Sequence, residues 1–258
     1  MILIATESGV YGEDGKLFCC RGLAVQDLLG DLVCADSGLY KLPTLQKIDK
    51  RACWRLYREE RTYASLEGPV VLDVESGREL DLRRYAEELG WYFPQGPPHI
   101  TDFLRFHGLL LATVEVGNLM VGESVDTLKP TDFVEDQHNL LVFRDRLFIA
   151  TASGVYVSKD LSRFKLAEGS EGYAHALVLH EGRLYSHLMR DRPVISSEDG
   201  EAWREMPRRL PPPTFGTTGL VSHEGRLIYS TTATYELRGD DVQKLFGPHP
   251  MTRRILQA

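Results

Sequence analysis

The sequence predicts an all-β fold: a single seven-bladed β-propeller of four-stranded antiparallel blades, with residues 1–258 as one domain. Three observations predict it. A short apolar phrase recurs seven times. Each copy is flanked by turn signals that make hairpins. The chain also starts inside one repeat and ends on a spare apolar tail that can complete it.

The clearest copy spans residues 139–160. Apolar runs at 140–143, 147–151 and 155–158 are separated by turns at Arg144-Asp145 and Ser153-Gly154. Gly154 supplies the positive φ that a tight hairpin turn needs. The middle run, Leu147-Phe-Ile-Ala-Thr151, closely matches residues 2–6 and 109–113. It matches 32–36 and 227–231 well, and 70–74 and 184–188 loosely. The intervals are 30, 38, 39, 38, 37 and 43 residues, and a propeller blade repeats at about 40. These seven runs are expected to be the second strands of the blades.

The flanks supply the other strands. Inner strands are expected before the turns Gly30-Asp31, His107-Gly108, His180-Glu181-Gly182 and His223-Glu224-Gly225. Third strands follow the Ser-Gly-Val/Leu-Tyr phrase at 8–11, 37–40 and 153–156. Runs such as 54–58 and 164–167 read as outer strands. Such a blade buries its faces only against its neighbours, so the ring has to close. The tail 255–258 is expected to supply the inner strand missing from the first blade and so cover an open edge. Two stretches break the repeat. Residues 80–89 carry apolar positions at 82, 85, 86 and 89 ahead of Gly90, a short helix over 81–89. Residues 207–213 are a proline-rich loop, which cannot be regular structure.

Bulk properties bound the function classes. Hydrophobic residues make up 43% and charged residues 26%, an ordinary globular composition. No apolar run approaches the ~20 residues of a membrane span, and the first residues do not read as a signal peptide, so the expected compartment is the cytoplasm. The net charge of −7 argues against DNA binding. Twenty-two arginines to eight lysines, with only two asparagines, fit a thermophilic source. Cys19, Cys20, Cys34 and Cys53 form no metal-type spacing and read as buried free thiols. On a strand, the adjacent Cys19 and Cys20 would face opposite ways. No metal or cofactor is expected.

A second pattern recurs at the third strand and its turn. Ser158-Lys-Asp160-Leu-Ser-Arg-Phe164 matches Ser197-Glu-Asp199-Gly-Glu-Ala-Trp203, with fainter copies at 12–18 and 122–128. The acid or hydroxyl caps its own turn and the aromatic packs back on the blade. This pattern resembles the Asp-box of the BNR-repeat propellers, which include the sialidase-like and photosystem II assembly-factor-like proteins. In that family the box is structural, so the resemblance implies fold and not activity. A sialidase-like hydrolase working in the central channel would need an Arg-Ile-Pro element near the start. Here Arg192-Pro193 lies far downstream, and no residue takes a catalytic role.

Site candidates come from position. His138 and His175 each lie seven residues before a turn residue, Asp145 or Gly182. Thr101 and Thr218 match them in other blades, and Arg61 is the matching residue assigned to blade three. Inner strands line a propeller's channel, so these five would form a convergent polar ring at its mouth. The two imidazoles lack a third metal ligand at a repeated position. Arg51, Trp54, Arg55 and Arg58, with Arg208 and Arg209, form arginine-rich patches suited to a protein partner or an RNA backbone. The function expected is a non-enzymatic scaffold for a protein partner or multi-subunit assembly. The alternatives are the hydrolase and an adaptor in a ribonucleoprotein assembly.

Overall fold

The structure, a computed structural model, describes residues 1–94 and 96–257. It is a seven-bladed propeller, each blade an antiparallel sheet of four strands. From inner to outer strand, blade one is Thr252–Gln257, Ile2–Thr6, Gly9–Gly12 and Leu17–Cys19. Blade two is Val25–Leu29, Leu32–Ala35, Gly38–Lys41 and Gln46–Asp49. Blade three is Cys53–Arg58, Thr62–Leu66, Val70–Asp73 and Glu79–Asp81. Blade four is Ile100–Phe106, Leu109–Val114, Gly117–Gly122 and Lys129–Glu135. Blade five is Gln137–Phe143, Arg146–Thr151, Gly154–Ser158 and Lys165–Leu166. Blade six is Ala174–His180, Arg183–Leu188, Val194–Ser197 and Arg204–Glu205. Blade seven is Leu220–His223, Arg226–Ser230, Thr234–Arg238 and Asp241–Phe246.

The closing strand runs antiparallel to the first, from Ile2 opposite Gln257 to Thr6 opposite Thr252. Ala258, the last residue of the predicted tail strand, lies outside the described residues. The chain divides into two compact units, residues 1–25 with 141–258, and residues 26–140.

Second strands such as Ile2–Thr6 and Leu32–Ala35 are buried along their whole length, because blades pack on both of their faces. That is why they read as unbroken apolar runs and not as alternating ones. Outer strands such as Gln46–Asp49 are mostly exposed and leave little pattern. Several hairpins between inner and second strands have two successive left-handed residues. Arg144 and Asp145 (φ 49° and 59°) and Glu181 and Gly182 (φ 48° and 76°) are examples, matching the twist of the flanking strands.

In the first unit, Phe143, Phe148, Leu177, Leu184, Ile195 and Trp203 form one core. Blade six turns onto it through residues 197–203. Asp199 Oδ1 accepts from the Glu201 and Ala202 amides at 2.8 and 3.3 Å, and Ser197 Oγ accepts from Gly200 N at 2.8 Å. Trp203 is then buried, its Nε1 donating to Gly200 O at 3.3 Å. Gly200, at φ 82°, lies so close to Phe148 that a Cβ would come within 2.3 Å of the ring.

The second unit departs from the sequence reading at blade three. The run at 70–74, expected as its second strand, holds the third strand, Val70–Asp73; the second is Thr62–Leu66. Residues 54–58, expected as an outer strand, fall within the inner strand Cys53–Arg58. The reason is burial. Val71 packs in a core with Leu82, Trp91 and Phe103, joined by Tyr85 and Ala86. The cover from the helix Arg83–Leu89 and its flanks makes this third strand as apolar as a second strand elsewhere. The helix follows the outer strand, and Gly90 (φ 68°) ends it, with Trp91 N donating to Ala86 O at 2.9 Å. Leu89 does not join this core and is exposed.

The cysteines also differ from expectation. Cys34 and Cys53 are joined in a disulfide, Cα atoms 4.7 Å apart, linking the second strand of blade two to the inner strand of blade three. Cys19 and Cys20 place their sulfurs 2.7 Å apart, because Cys20 leaves the strand with φ 63°.

Candidate functional site

The starts of several inner strands are irregular. In blades three and four, bulges interrupt pairing with the second strand at Trp54 and Thr101. In the other unit they do so at His175 and Arg253. A bulge leaves one residue unpaired and re-aims its side chain. The residue of blade three that matches Thr101 is therefore Trp54. Arg61, assigned to that place from sequence, lies in the hairpin after the inner strand and pairs with Asp73 at 2.6 Å. The misplacement follows directly from reading residues 70–74 as the second strand.

Within residues 26–140, four titratable side chains gather at the same ends of blade four and the start of blade five. His99 precedes the inner strand of blade four, and Glu115 follows its second strand. Asp136 sits between the outer strand of blade four and the inner strand of blade five, whose second residue is His138. His99 Nε2 lies 2.7 Å from Glu115 Oε2, and His138 Nε2 lies 3.1 Å from Asp136 Oδ1. The ligand atoms of Glu115, Asp136 and His138 all lie within 4.8 Å of one another.

The scaffold around them is well tied. The Glu115 amide donates to His99 O at 3.0 Å. Thr101 Oγ1 donates to Gln137 O at 2.8 Å, and Gln137 Nε2 donates to Gly117 O at 2.8 Å. The His99 ring stacks on Trp54 with centroids 3.8 Å apart and meets Phe93 edge-on at 5.4 Å. Both histidines are buried. Imidazole nitrogens and carboxylate oxygens converging on one point are the donor types that divalent ions take.

A second charged set lies one residue further along the inner strands. Arg55 donates through Nε to Asp102 at 2.9 Å and through Nη1 to Asp27 at 3.2 Å. Each aspartate reaches the next inner strand: Asp27 accepts from Leu56 N at 2.9 Å, and Asp102 from Leu140 N at 3.0 Å. Burial pushes the Asp27 carboxyl above the ordinary carboxylate range, against the opposing pull of Arg55 and the Leu56 and Leu28 amides. This set binds blades together; it is not a surface patch.

The predicted arginine patches are largely met inside the chain. Arg51 pairs with Asp49 at 2.6 Å and with Glu79 at 2.5 Å. Arg58 donates to Thr62 Oγ1 at 3.3 Å. In the other unit, Arg208 donates to Asp240 O at 3.0 Å, while Arg209 is exposed. His175 Nε2 accepts from Gly216 N at 3.2 Å, and Thr218 is bound through its backbone to the closing strand, its amide donating to Arg253 O at 2.7 Å. The structure thus gathers His138 with Glu115 and Asp136 and places His175 and Thr218 in their own backbone networks.

Sequence reasoning missed His99, Glu115 and Asp136. Glu115 directly follows the second-strand phrase, and Asp136 lies two residues before His138, so both sit on connections that the repeat does not constrain. Position relative to the strand ends was the available signal.

No protein-family model matches the chain, and no curated protein does. Solved structures do match in fold. The extracellular domain of a one-component system from B. thetaiotaomicron aligns with a TM-score of 0.61 at 11% identity, over 85% of this chain and 33% of that one. Virginiamycin B lyase from Staphylococcus aureus aligns with a TM-score of 0.57 at 8% identity, over 77% and 71%. A chain of the nidogen/laminin complex aligns with a TM-score of 0.55 at 12% identity, over 98% and 96%. At such identities the likeness is one of fold. Propellers of this kind therefore occur in a protein complex and in an enzyme. No helix of the described residues is long and apolar enough to cross a membrane.

Proposed function

We propose that the chain is a non-enzymatic binding propeller whose partner is a protein, docking where blade three's insertion meets blade four. One observation carries this reading. Tyr92 is 68% exposed and Val134 60%, beside a fixed anchor. Trp91, the neighbour of Tyr92, donates through Nε1 to Asn118 Oδ1 at 2.6 Å. Asn118 is in turn the cross-strand partner of Val134. Exposed aromatic and branched side chains on a rigid support suit a protein interface, because little side-chain freedom is lost on docking. The nidogen/laminin neighbour is an example of the fold in a protein complex.

The Cys34–Cys53 disulfide restricts where this binding takes place. Disulfides persist in oxidising compartments and inside hyperthermophiles. The scarcity of asparagine fits the second.

Co-purification from the native host, followed by mass spectrometry, tests the reading. A stoichiometric protein partner is expected. A protein recovered only as a solitary monomer, across salt concentrations, contradicts it.

A further inference from the structure

We propose that Glu115, Asp136 and His138 bind one divalent transition-metal ion, with His99 as the positioning residue that holds Glu115. Glu115 and Asp136 come from two connections at the same end of blade four and His138 from the start of the next inner strand, and their ligand atoms fall within 4.8 Å of one another. Metal–ligand bonds of about 2.0–2.2 Å put adjacent ligand atoms about 3.0–3.5 Å apart. His138 Nε2 and Asp136 Oδ1, at 3.1 Å, already have that spacing. A small rotation of the Glu115 side chain completes the set.

The charge balance points the same way. Glu115 and Asp136 are only 12% and 20% exposed in their side chains. Two carboxylates brought together and partly desolvated repel, and a cation between them removes that repulsion. His99 is built as an outer partner. Its Nε2 meets Glu115 at 2.7 Å, and Trp54 and Phe93 hold its ring from the face and the edge. Ligating carboxylates are commonly fixed by such a second hydrogen bond. One imidazole and two carboxylates, with no thiolate, select a borderline ion such as Zn²⁺ or Co²⁺; Ca²⁺ and Mg²⁺ prefer all-oxygen sites. Three protein ligands leave a position for water or a further ligand.

The test uses the intact, tag-free chain, stripped with a chelator and titrated with Zn²⁺ by calorimetry and with Co²⁺ by visible absorption. One ion per chain is expected, with a higher melting temperature in its presence. Glu115→Gln and Asp136→Asn should each weaken binding at least tenfold, and His138→Ala should abolish it. His99→Gln should weaken it by about 10–100-fold with the stoichiometry unchanged. Circular dichroism of each metal-free variant checks folding, and the two amide variants keep the test valid if His138→Ala does not fold. The assignment is overturned by no stoichiometric binding below millimolar Zn²⁺ or Co²⁺. Binding unchanged in the Glu115→Gln/Asp136→Asn double variant overturns it too, as does a preference for Mg²⁺ or Ca²⁺. In those cases the four residues are two buried ion pairs only.

Discussion

Blade six and blade three pack the same kind of four-stranded sheet by different means. Blade six uses a local device. Asp199 and Ser197 cap the turn, Gly200 fits against Phe148, and Trp203 fills the core. Blade three caps the corresponding turn too, Asp73 Oδ1 accepting from the Glu75 and Ser76 amides at 3.1 Å each, but its cover comes from elsewhere. Its third strand is covered by Leu82, Tyr85 and Trp91 from an inserted segment, its inner strand carries a half-buried arginine between two buried aspartates, and a disulfide joins it to blade two. The regular device keeps its aromatic, Trp203, inside the core. The irregular one leaves side chains, Tyr92 among them, standing out on a fixed support.

The contrast can be broken most strongly at Arg55. Arg55→Met leaves Asp27 and Asp102 buried without their cation, so stability should fall by about 3–5 kcal/mol in denaturant unfolding. A loss under 1 kcal/mol would mean that the aspartates are satisfied by backbone amides and the Asn139 side chain alone. Next comes the disulfide, whose residues lie 19 apart. Reduction should cost about 3 kcal/mol through loop entropy. Intact mass and thiol labelling before and after reductant check that Cys34 and Cys53 are the pair. In the regular device, Gly200→Ala forces a Cβ against Phe148 and should cost about 1–3 kcal/mol, read as a lower melting temperature.

The smallest effect concerns pH. Hydrogen bonds from Ser76, followed by Arg61, hold the Asp73 carboxyl well below the usual carboxylate range. A depressed folded-state value means a contribution present above about pH 4 and lost as the pH falls towards the folded value. Asp73→Asn should flatten the acid limb of a melting-temperature profile in that range. An unchanged limb would place the acid sensitivity elsewhere.

The same contrast explains how much was legible beforehand. Runs such as 147–151 and 2–6 announce themselves because packing on both faces demands apolar residues throughout. The turn at 197–203 is legible because its hydrogen bonds are local, between residues two or three apart. Blade three was misread by one strand because Val70–Asp73 gains its burial from the insertion, a tertiary effect that no local pattern reports. Arg55 looked like a surface residue, since its partners Asp27 and Asp102 lie 28 and 47 residues away. His138 was found through its repeated position. Glu115 and Asp136 were not, because they occupy connections whose length and content vary between blades.

On the proposed function, the irregular segment, and not the repeated scaffold, carries the binding surface. Quantitative partner capture by two variants tests it most directly. Phe18, on the outer strand of blade one, is 54% exposed and Tyr92 is 68% exposed, so each offers a solvent-facing aromatic. Tyr92→Ser should reduce capture of the stoichiometric partner by at least tenfold, while Phe18→Ser should capture it as the unaltered chain does. Capture lost with Phe18→Ser and kept with Tyr92→Ser would contradict it.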